Sequence, residues 1–205
     1  MRVFQVKKVP KIREVDQDRV NTFLQNSTTP VDFELGSGVG MFAIRYARDN
    51  PVRRLLSVEK TREKFSAFES RLKNHPEVSN LLPLHANAVS VLCHHLVPES
   101  LSKFFLWYPN PYPEKSRFHR TPFFEFMLSR IVCGGKFYFA SNVQSYTREM
   151  EQFFCRQSHF HTEGAKKISK VLNPEFQPRT HFEMKYYARG EILYQIIAQK
   201  NCISS

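Results

Sequence analysis

The chain has 205 residues, 41% of them hydrophobic, which suits one globular domain with a substantial core. No apolar stretch reaches the roughly 18 residues that span a membrane, and the basic N-terminus lacks the apolar segment of a signal peptide. The formal net charge of +11 favours RNA or DNA as a partner, because both are rich in phosphate. An anionic membrane surface would attract the same charge, but no strongly amphipathic basic helix supports that alternative.

Apolar runs alternate with helical patterns along the chain, which predicts an α/β fold with a doubly wound, mostly parallel sheet of about seven strands. The predicted strands lie near residues 31–35, 54–59, 81–85, 103–108, 135–141 and 191–199. The predicted helices lie near residues 15–25, 41–49, 61–73, 88–95, 120–132, 144–157 and 181–188. Gly134 and Gly135 are expected to stop a helix before the fifth strand. Since no linker or repeat is visible, residues 1–205 are predicted to form a single domain with a basic N-terminal extension, residues 1–30.

A glycine-rich motif, ELGSGVG at residues 34–40, follows the first predicted strand. Its glycines would let the backbone turn sharply and approach a ligand with no Cβ in the way. Glu59 ends the second predicted strand, where a carboxylate suits a ribose because it can accept hydrogen bonds from both hydroxyls. The motif therefore favours a nucleoside cofactor, and the alternative is an ordinary glycine-rich turn of any α/β protein.

Glu34 narrows the choice of cofactor. The dinucleotide fingerprint is GxGxxG, whereas the spacing here is GxGxG with Glu34 on the strand just before it. A carboxylate there would repel a pyrophosphate and would suit a positive charge, such as the amino group of S-adenosylmethionine. We therefore expect S-adenosylmethionine rather than NAD.

Ligands of an open parallel sheet bind beyond the carboxyl ends of its strands. Five successive strand ends should therefore meet along one rim, formed by residues 36–40, 59, 86–88, 108–120 and 141–142. Asn87, after the third strand, is placed to hydrogen-bond an adenine edge. It could also cap the helix that follows, and one residue can serve both roles.

The segment WYPNPYPEKSRFHR, residues 107–120, holds three prolines in five residues, which stiffen it and keep it out of helix and sheet. Aromatic side chains flank Asn110, and basic side chains follow it. This arrangement suits an exposed base together with its phosphates. The alternative is a proline-rich surface loop with ordinary packing.

The cysteines Cys93, Cys133, Cys155 and Cys202 are scattered, with no CxxC pair and no cluster with histidine. They are predicted to be reduced thiols of a cytoplasmic protein that has no metal site.

Several blocks together resemble the tRNA (guanine-N7)-methyltransferase family of the TrmB type. ELGSGVG resembles the family's cofactor loop, SVEK its acidic strand end, and ANA its D/N-A element. YPNPYPEKSRFHR resembles F-P-D-P-W-x-K-x-R-H-x-K-R, SNVQSY resembles T-D-x-x-x-Y, and PRTHFE resembles T-x-F-E. The order and approximate spacing agree over residues 31–199.

The resemblance implies a Rossmann-like fold of S-adenosylmethionine-dependent methyltransferases, with a seven-stranded sheet whose last strand is antiparallel. It implies methyl transfer to N7 of guanine in tRNA or another structured RNA, by a monomer or homodimer. The implied cofactor-binding residues are Glu34, Gly36, Gly38, Gly40, Glu59, Asn87 and Asn110, and Asn110 is also the candidate catalytic residue. The implied substrate-binding residues are Asn142, Thr180 and Glu183 for the base, and Lys115, Arg117 and Arg120 for phosphates.

The sequence departs from the family pattern on the substrate side. Asn110 and Asn142 stand where the family has aspartates, and Tyr112, Glu114 and Ser116 replace a tryptophan, a lysine and an arginine. An asparagine presents donors beside its single acceptor, so it fits the donor edge of guanine less well than a carboxylate. The alternative function is therefore a divergent relative that binds S-adenosylmethionine and RNA without turnover, or that methylates another acceptor. If the acceptor is guanine, Asn110→Asp with Asn142→Asp is expected to raise kcat/KM.

Overall fold

An eight-stranded sheet runs through the computed structural model, which describes residues 4–25 and 30–202. The strands are β1 Val31–Leu35, β2 Leu55–Glu59, β3 Leu81–His85, β4 Leu101–Trp107, β5 Ile131–Ser141, β6 Phe160–Thr162, β7 Lys166–Ile168 and β8 Leu193–Lys200. Their order is β3-β2-β1-β4-β5-β8-β6, and β7 also pairs with β8. The pairings among β1 to β5 are parallel, whereas β8 is antiparallel to β5, β6 and β7.

Helices cover both faces of the sheet. They are α1 Glu14–Gln25, α2 Met41–Asp49, α3 Arg62–Leu72, α4 Ala88–His95, α5 Pro122–Leu128, α6 Gln144–Cys155 and α7 His181–Ala188. Alternate residues of β4 face the two layers: Phe105 meets Phe42 of α2, with ring centroids 4.8 Å apart, while Phe104 belongs to the cluster that includes Phe124 and Phe154. The strands are therefore buried on both faces, as their near-continuous apolar runs require.

The predicted α/β alternation is confirmed, and all seven predicted helices and six predicted strands are present. The sheet is mostly parallel with an antiparallel last strand, as expected. It has eight strands among the described residues rather than seven. The strands β6 and β7 have only three residues each, and their sequences FHT and KKI carry no apolar run that would have indicated a strand.

The expectation for Gly134 and Gly135 is wrong. Helix α5 already ends at Leu128, and both glycines lie inside β5. The register between β4 and β5 shifts there, because Leu101 pairs with Ile131 while Lys103 pairs with Lys136. Gly134 has φ +72°, which glycine adopts without a steric cost. The glycine pair therefore serves a β-bulge.

The same bulge carries Cys133, which forms a disulfide with Cys202 just beyond β8, with 4.9 Å between the Cα atoms. The prediction of reduced thiols is therefore wrong for these two cysteines, while Cys93 and Cys155 are free. Cys133 and Cys202 are 69 residues apart, so the sequence gave no sign of their pairing. The antiparallel contact between β5 and β8 brings them together. The cytoplasmic location stays a prediction.

Within residues 4–25 and 30–202, no helix is long and apolar enough to cross a membrane. Over the same ranges, no group of three or more His, Cys, Asp and Glu side chains could hold a metal ion. Residues 1–3 and 26–29 of the predicted N-terminal extension lie outside the described residues. The single-domain organisation and the choice between monomer and homodimer stay predictions.

The disulfide should stabilise the oxidised protein by about 2–4 kcal/mol, because it closes a long loop in the unfolded chain. Urea unfolding with and without a thiol reductant measures the difference. Cys133→Ser should unfold like the reduced wild type in both conditions. Cys155→Ser, which removes a free exposed thiol, should keep the full effect of the reductant. Equal stability of the oxidised and reduced wild type would contradict the assignment.

Candidate functional site

The carboxyl ends of β1 to β5 meet along one rim, and the strand order reverses between β1 and β4, where α/β sheets open a crevice. The glycine-rich loop after β1 lies at this crevice. The backbone N–H groups of Gly36 and Ser37 donate to the carbonyl oxygen of Val58 at 2.8 and 3.1 Å. Strand β2 thus fixes the start of the loop.

A cavity lies between this loop and the N-terminal end of α7. Gly36 and Gly38 line it with φ +80° and +57°, and a Cβ on either would point into open space. Gly40 has φ +75°, but a Cβ there would overlap the ring of Phe68. The first two glycines therefore leave room for a ligand, while Gly40 allows α2 and α3 to pack closely.

Glu34 lies at the cavity and is only 1% exposed. Its Oε2 accepts a hydrogen bond from Ser57 Oγ at 2.6 Å. Burial is the main reason that the pKa of Glu34 is raised to about 8. The charge of Glu59 acts in the same direction, and the Ser57 hydrogen bond opposes both. A cationic group placed beside Glu34 would offset this cost of burying its charge.

Glu59 holds the middle of the glycine loop. Its Oε2 accepts from the Gly38 N–H at 2.8 Å, and its Oε1 accepts from the Thr61 N–H at 2.7 Å. Each carboxylate oxygen can accept a second bond. The carboxylate can therefore organise the loop and still receive hydroxyl donors from a ligand.

Two buried polar atoms of the cavity lining have no hydrogen-bond partner among the described residues. They are Ser37 Oγ and Trp107 Nε1. Buried polar atoms in native proteins are usually paired, with water or a ligand if not with protein. Together with Glu34, they place a few polar groups in a cavity whose lining is otherwise largely apolar, which suits a small ligand that carries cationic and polar groups on an apolar body.

Asn87 and Asn110 use their side chains in local backbone bonds. Asn87 Oδ1 caps α4 by accepting from the Val89 N–H at 3.0 Å, which matches the capping role considered from the sequence. Asn110 is exposed, and its Oδ1 accepts from the Tyr112 N–H at 3.2 Å. Neither asparagine lines the cavity, and Gly40 and Glu59 do not line it either. The predicted site residues that do line it are Glu34, Gly36, Gly38 and Thr180.

Arg117 has a different position from the one expected for a phosphate ligand. It is 0% exposed, and its Nη1 donates to Glu149 at 2.6 Å. Its other nitrogens donate to the Pro111 carbonyl at 3.1 Å, and to Glu114 and Ser145, each at 3.1 Å. This position does not fit the predicted phosphate contact, because Arg117 ties the 108–120 segment to α6.

Glu149 is the common acceptor for this segment. It receives Arg117, Arg120 at 2.9 Å and His119 at 3.2 Å. Arg120 keeps 43% of its side chain exposed, and Lys115 is exposed. These two cations are the ones of the predicted phosphate set that still face solvent.

Thr180 is the N-cap residue of α7 and Glu183 lies in its first turn, where Thr180 Oγ1 accepts from the Glu183 N–H at 3.1 Å. Glu183 is fully buried and is paired with the guanidinium of Arg179. Its Oε1 also accepts from Tyr108 Oη at 3.3 Å. Arg179 in turn lies 4.4 Å from the centre of the Trp107 ring. In the structure Glu183 anchors α7 over the cavity, and its contact with a base stays a prediction.

Asn142 follows β5, as predicted, and its Nδ2 donates to Glu191 Oε2 at 3.1 Å. Sequence reasoning missed Glu191, Arg179 and Glu149. The sequence held a signal for Glu191, because it is the first residue of the last predicted strand. An antiparallel last strand begins at the edge where the parallel strands end, so its first residue lies at the site. The partnerships of Arg179 and Glu149 depend on tertiary contacts and had no such signal.

The doubly wound sheet, the glycine loop and the acidic strand ends are those expected of a methyltransferase that uses S-adenosylmethionine. Two solved structures share the fold. One is described as an antibiotic related methyltransferase, with a TM-score of 0.68 and 12% identity over 96% of this chain and 99% of that chain. The other is the 16S rRNA methyltransferase KamB, with a TM-score of 0.61 and 17% identity over 98% of this chain and 100% of that chain.

The chain belongs to the methyltransferase family whose model, described as "Putative methyltransferase", matches residues 28–196. Similar proteins include the tRNA (guanine-N(7)-)-methyltransferase of Salmonella typhimurium, 28% identical over 83% of this chain and 72% of the relative. A protein of the same name from Nitrosospira multiformis is 24% identical over 84% of this chain and 76% of the relative.

The cavity fits S-adenosylmethionine by the chemistry of its groups. The cofactor brings an ammonium group and a sulfonium, which suit Glu34, and ribose hydroxyls, which suit the free acceptor positions of Glu59. The open space beside Gly36 and Gly38 lets a ligand approach the backbone, and Ser37 Oγ and Trp107 Nε1 offer unpaired polar atoms.

Cofactor binding should release a proton near pH 7. Because the pKa of Glu34 is raised to about 8, its carboxyl group is mostly protonated there, and a neighbouring cation would favour the ionised form. Calorimetry with S-adenosylmethionine or its demethylated product, in buffers of different ionisation enthalpy, measures the release. Glu34→Gln should bind more weakly and show less buffer dependence. The same proton release from wild type and Glu34→Gln would contradict this role.

Proposed function

We propose that this protein transfers a methyl group from S-adenosylmethionine to N7 of a guanine in tRNA. The observation that carries the proposal is the similarity, over 83% of the chain, to relatives named tRNA (guanine-N(7)-)-methyltransferase. The retained segments around Thr180 and the basic 108–120 segment support it, because both lie at the rim that carries the cofactor loop.

The proposed chemistry needs no general base, because guanine N7 has a lone pair and no proton. When bound, the cofactor supplies a methyl group made electrophilic by a positively charged sulfur. N7 bonds to the methyl carbon as the carbon–sulfur bond breaks, so positive charge moves to the purine. The protein must hold N7 in line, within about 3–3.5 Å of that carbon, and most of the acceleration comes from this positioning.

Different residues at the rim are assigned to cofactor binding and to RNA binding. Glu34, Glu59 and the Gly36–Gly38 turn hold the cofactor, and Thr180 on α7 closes the cavity over it. Asn110 and Asn87 lie outside the cavity lining in the structure, so a direct contact with the cofactor requires either side chain to reach toward the cavity, and the Nδ2 group of each is not used by its local hydrogen bond.

The phosphates of the RNA are assigned to exposed cations. The net charge of +11 draws RNA to the surface, and Lys115 with Arg120 presents positive charge beside the rim. Arg117 contributes indirectly, because its buried guanidinium holds the segment on which both of them stand.

A second candidate is a relative that binds S-adenosylmethionine and RNA but methylates another acceptor or does not turn over. The observation that favours it is the asparagine at both positions 110 and 142, since an amide pairs well with the N6/N7 edge of adenine. The two candidates differ in the product that they leave on RNA.

Incubation with labelled S-adenosylmethionine and bulk tRNA, followed by nucleoside analysis, should give labelled 7-methylguanosine. Glu59→Ala should lose most cofactor binding in calorimetry and most of the product, because the ribose hydroxyls and the glycine loop lose their acceptor. Labelled methyladenosine would favour the second candidate. Cofactor binding without any labelled nucleoside would indicate a protein that does not turn over on tRNA.

Arg120→Ala should lower the dependence of tRNA binding on salt by about one unit of the log–log slope, because it removes one phosphate contact. Arg117→Ala should instead lower the free energy of unfolding by about 1–3 kcal/mol, because it removes a fully buried side chain whose hydrogen bonds hold the Pro111 carbonyl, Ser145 and Glu149. Filter binding at several salt concentrations and urea unfolding separate the two effects. A reduced salt slope from Arg117→Ala with unchanged stability would contradict this division.

A further inference from the structure

Several carboxylates lie at the rim, and most of them already have hydrogen-bond or ion-pair partners within the protein. Glu183 is fully buried against Arg179 and Tyr108, and Glu149 receives Arg117, His119 and Arg120 of the 108–120 segment. Glu34 and Glu59 belong to the cofactor cavity and the loop above it. None of these four is free to take the donor edge of a guanine without breaking the contacts that build the site.

Glu191 differs from them in both position and partners. It is half-buried and lies just before β8, whose residue Tyr194 pairs with Ser141 at the end of β5. Its backbone N–H donates to the Tyr186 carbonyl at 3.1 Å, which fixes the main chain. Within the described residues its side chain takes part in one hydrogen bond, from Asn142 at 3.1 Å. One carboxylate oxygen therefore stays available for a ligand, and the other keeps a second acceptor position.

Three aromatic rings form a cluster that includes Tyr186, whose carbonyl accepts the Glu191 N–H. Tyr108, Phe182 and Tyr186 have ring centroids 6.1–6.2 Å apart from one another, and Phe182 is 39% exposed. Flat, partly exposed rings are the surfaces on which single RNA bases stack. Phe182 also lines the cofactor cavity, so a base that stacks here would lie close to the methyl donor.

We infer that Glu191 is the substrate-binding carboxylate of this enzyme and that Asn142 orients it toward the guanine. The inference rests on the proposed function. Guanine presents two donors side by side, N1–H and N2–H₂, and a carboxylate offers them two acceptors. The negative charge also stabilises the purine as it becomes cationic on methylation. The Asn142–Glu191 pair thus takes over the work of the aspartate that the related family carries at position 142.

This assignment changes the expected effect of Asn142→Asp. A second carboxylate would stand about where the amide now donates at 3.1 Å to Glu191, so two like charges would meet and one would take up a proton. Asn142→Asp alone should therefore lower kcat/KM on tRNA rather than raise it.

The test is a set of four proteins assayed on the same tRNA: wild type, Glu191→Gln, Asn142→Asp and the double variant. Glu191→Gln should lower kcat/KM by roughly 10- to 100-fold, because the amide turns a donor toward the guanine donors. The double variant should recover most of this loss, because it exchanges the carboxylate and the amide between the two positions. Glu175→Gln removes an exposed carboxylate elsewhere and should match wild type.

A change of substrate separates base recognition from a purely structural role. Replacing the target guanosine by inosine removes the N2 donors. Wild type should lose about tenfold in kcat/KM, whereas Glu191→Gln should lose little more, because the contact is already gone. Cofactor binding, measured by calorimetry, should be unchanged in all variants.

The possible outcomes are distinguishable. If wild type makes 7-methylguanosine but Glu191→Gln equals it, or if inosine costs both proteins the same factor, the role of Glu191 is refuted and the proposed function stands. If wild type labels a nucleoside other than guanosine, the proposed function fails, and the pairing of Glu191 with guanine fails with it.

Discussion

Burying a carboxylate in a protein requires either a partner or a proton, and this constraint governs the whole rim of the sheet. Glu34 has only a hydroxyl and keeps its proton, with its pKa raised to about 8. Glu59 has two backbone N–H groups and shapes the glycine loop. Glu183 has an arginine and anchors a helix. The partner that each carboxylate has within the protein therefore determines whether it can bind a ligand.

The same rule applies to the positive charges. A net charge of +11 suggests a large basic surface, yet Arg117 is wholly buried and four-fifths of the Arg179 side chain is covered. Both guanidinium groups stabilise loops through several hydrogen bonds in the fixed fork geometry of arginine. A basic sequence cluster is therefore a mixture of structural and exposed cations, and only burial distinguishes them.

The sequence predicted the helices, the long strands and the cofactor half of the site because those features are local. Strand periodicity, glycine spacing and an acidic strand end are visible within about ten residues, as with Gly36 to Gly40. The substrate half depends on contacts between distant segments. Arg117 meets Glu149, and Asn142 meets Glu191, 49 residues away. The disulfide between Cys133 and Cys202 was missed for the same reason.

The position of β8 determines when the protein can finish folding. This last strand lies between β5 and β6 rather than at an edge of the sheet. During synthesis, β1 to β5 can therefore assemble first, with the glycine loop and its carboxylates already in place. The substrate half must wait until the last dozen described residues have been made, and until then β5 presents an unpaired edge. A chain that lacks β8 would leave β5 with an unpaired edge that is open to aggregation.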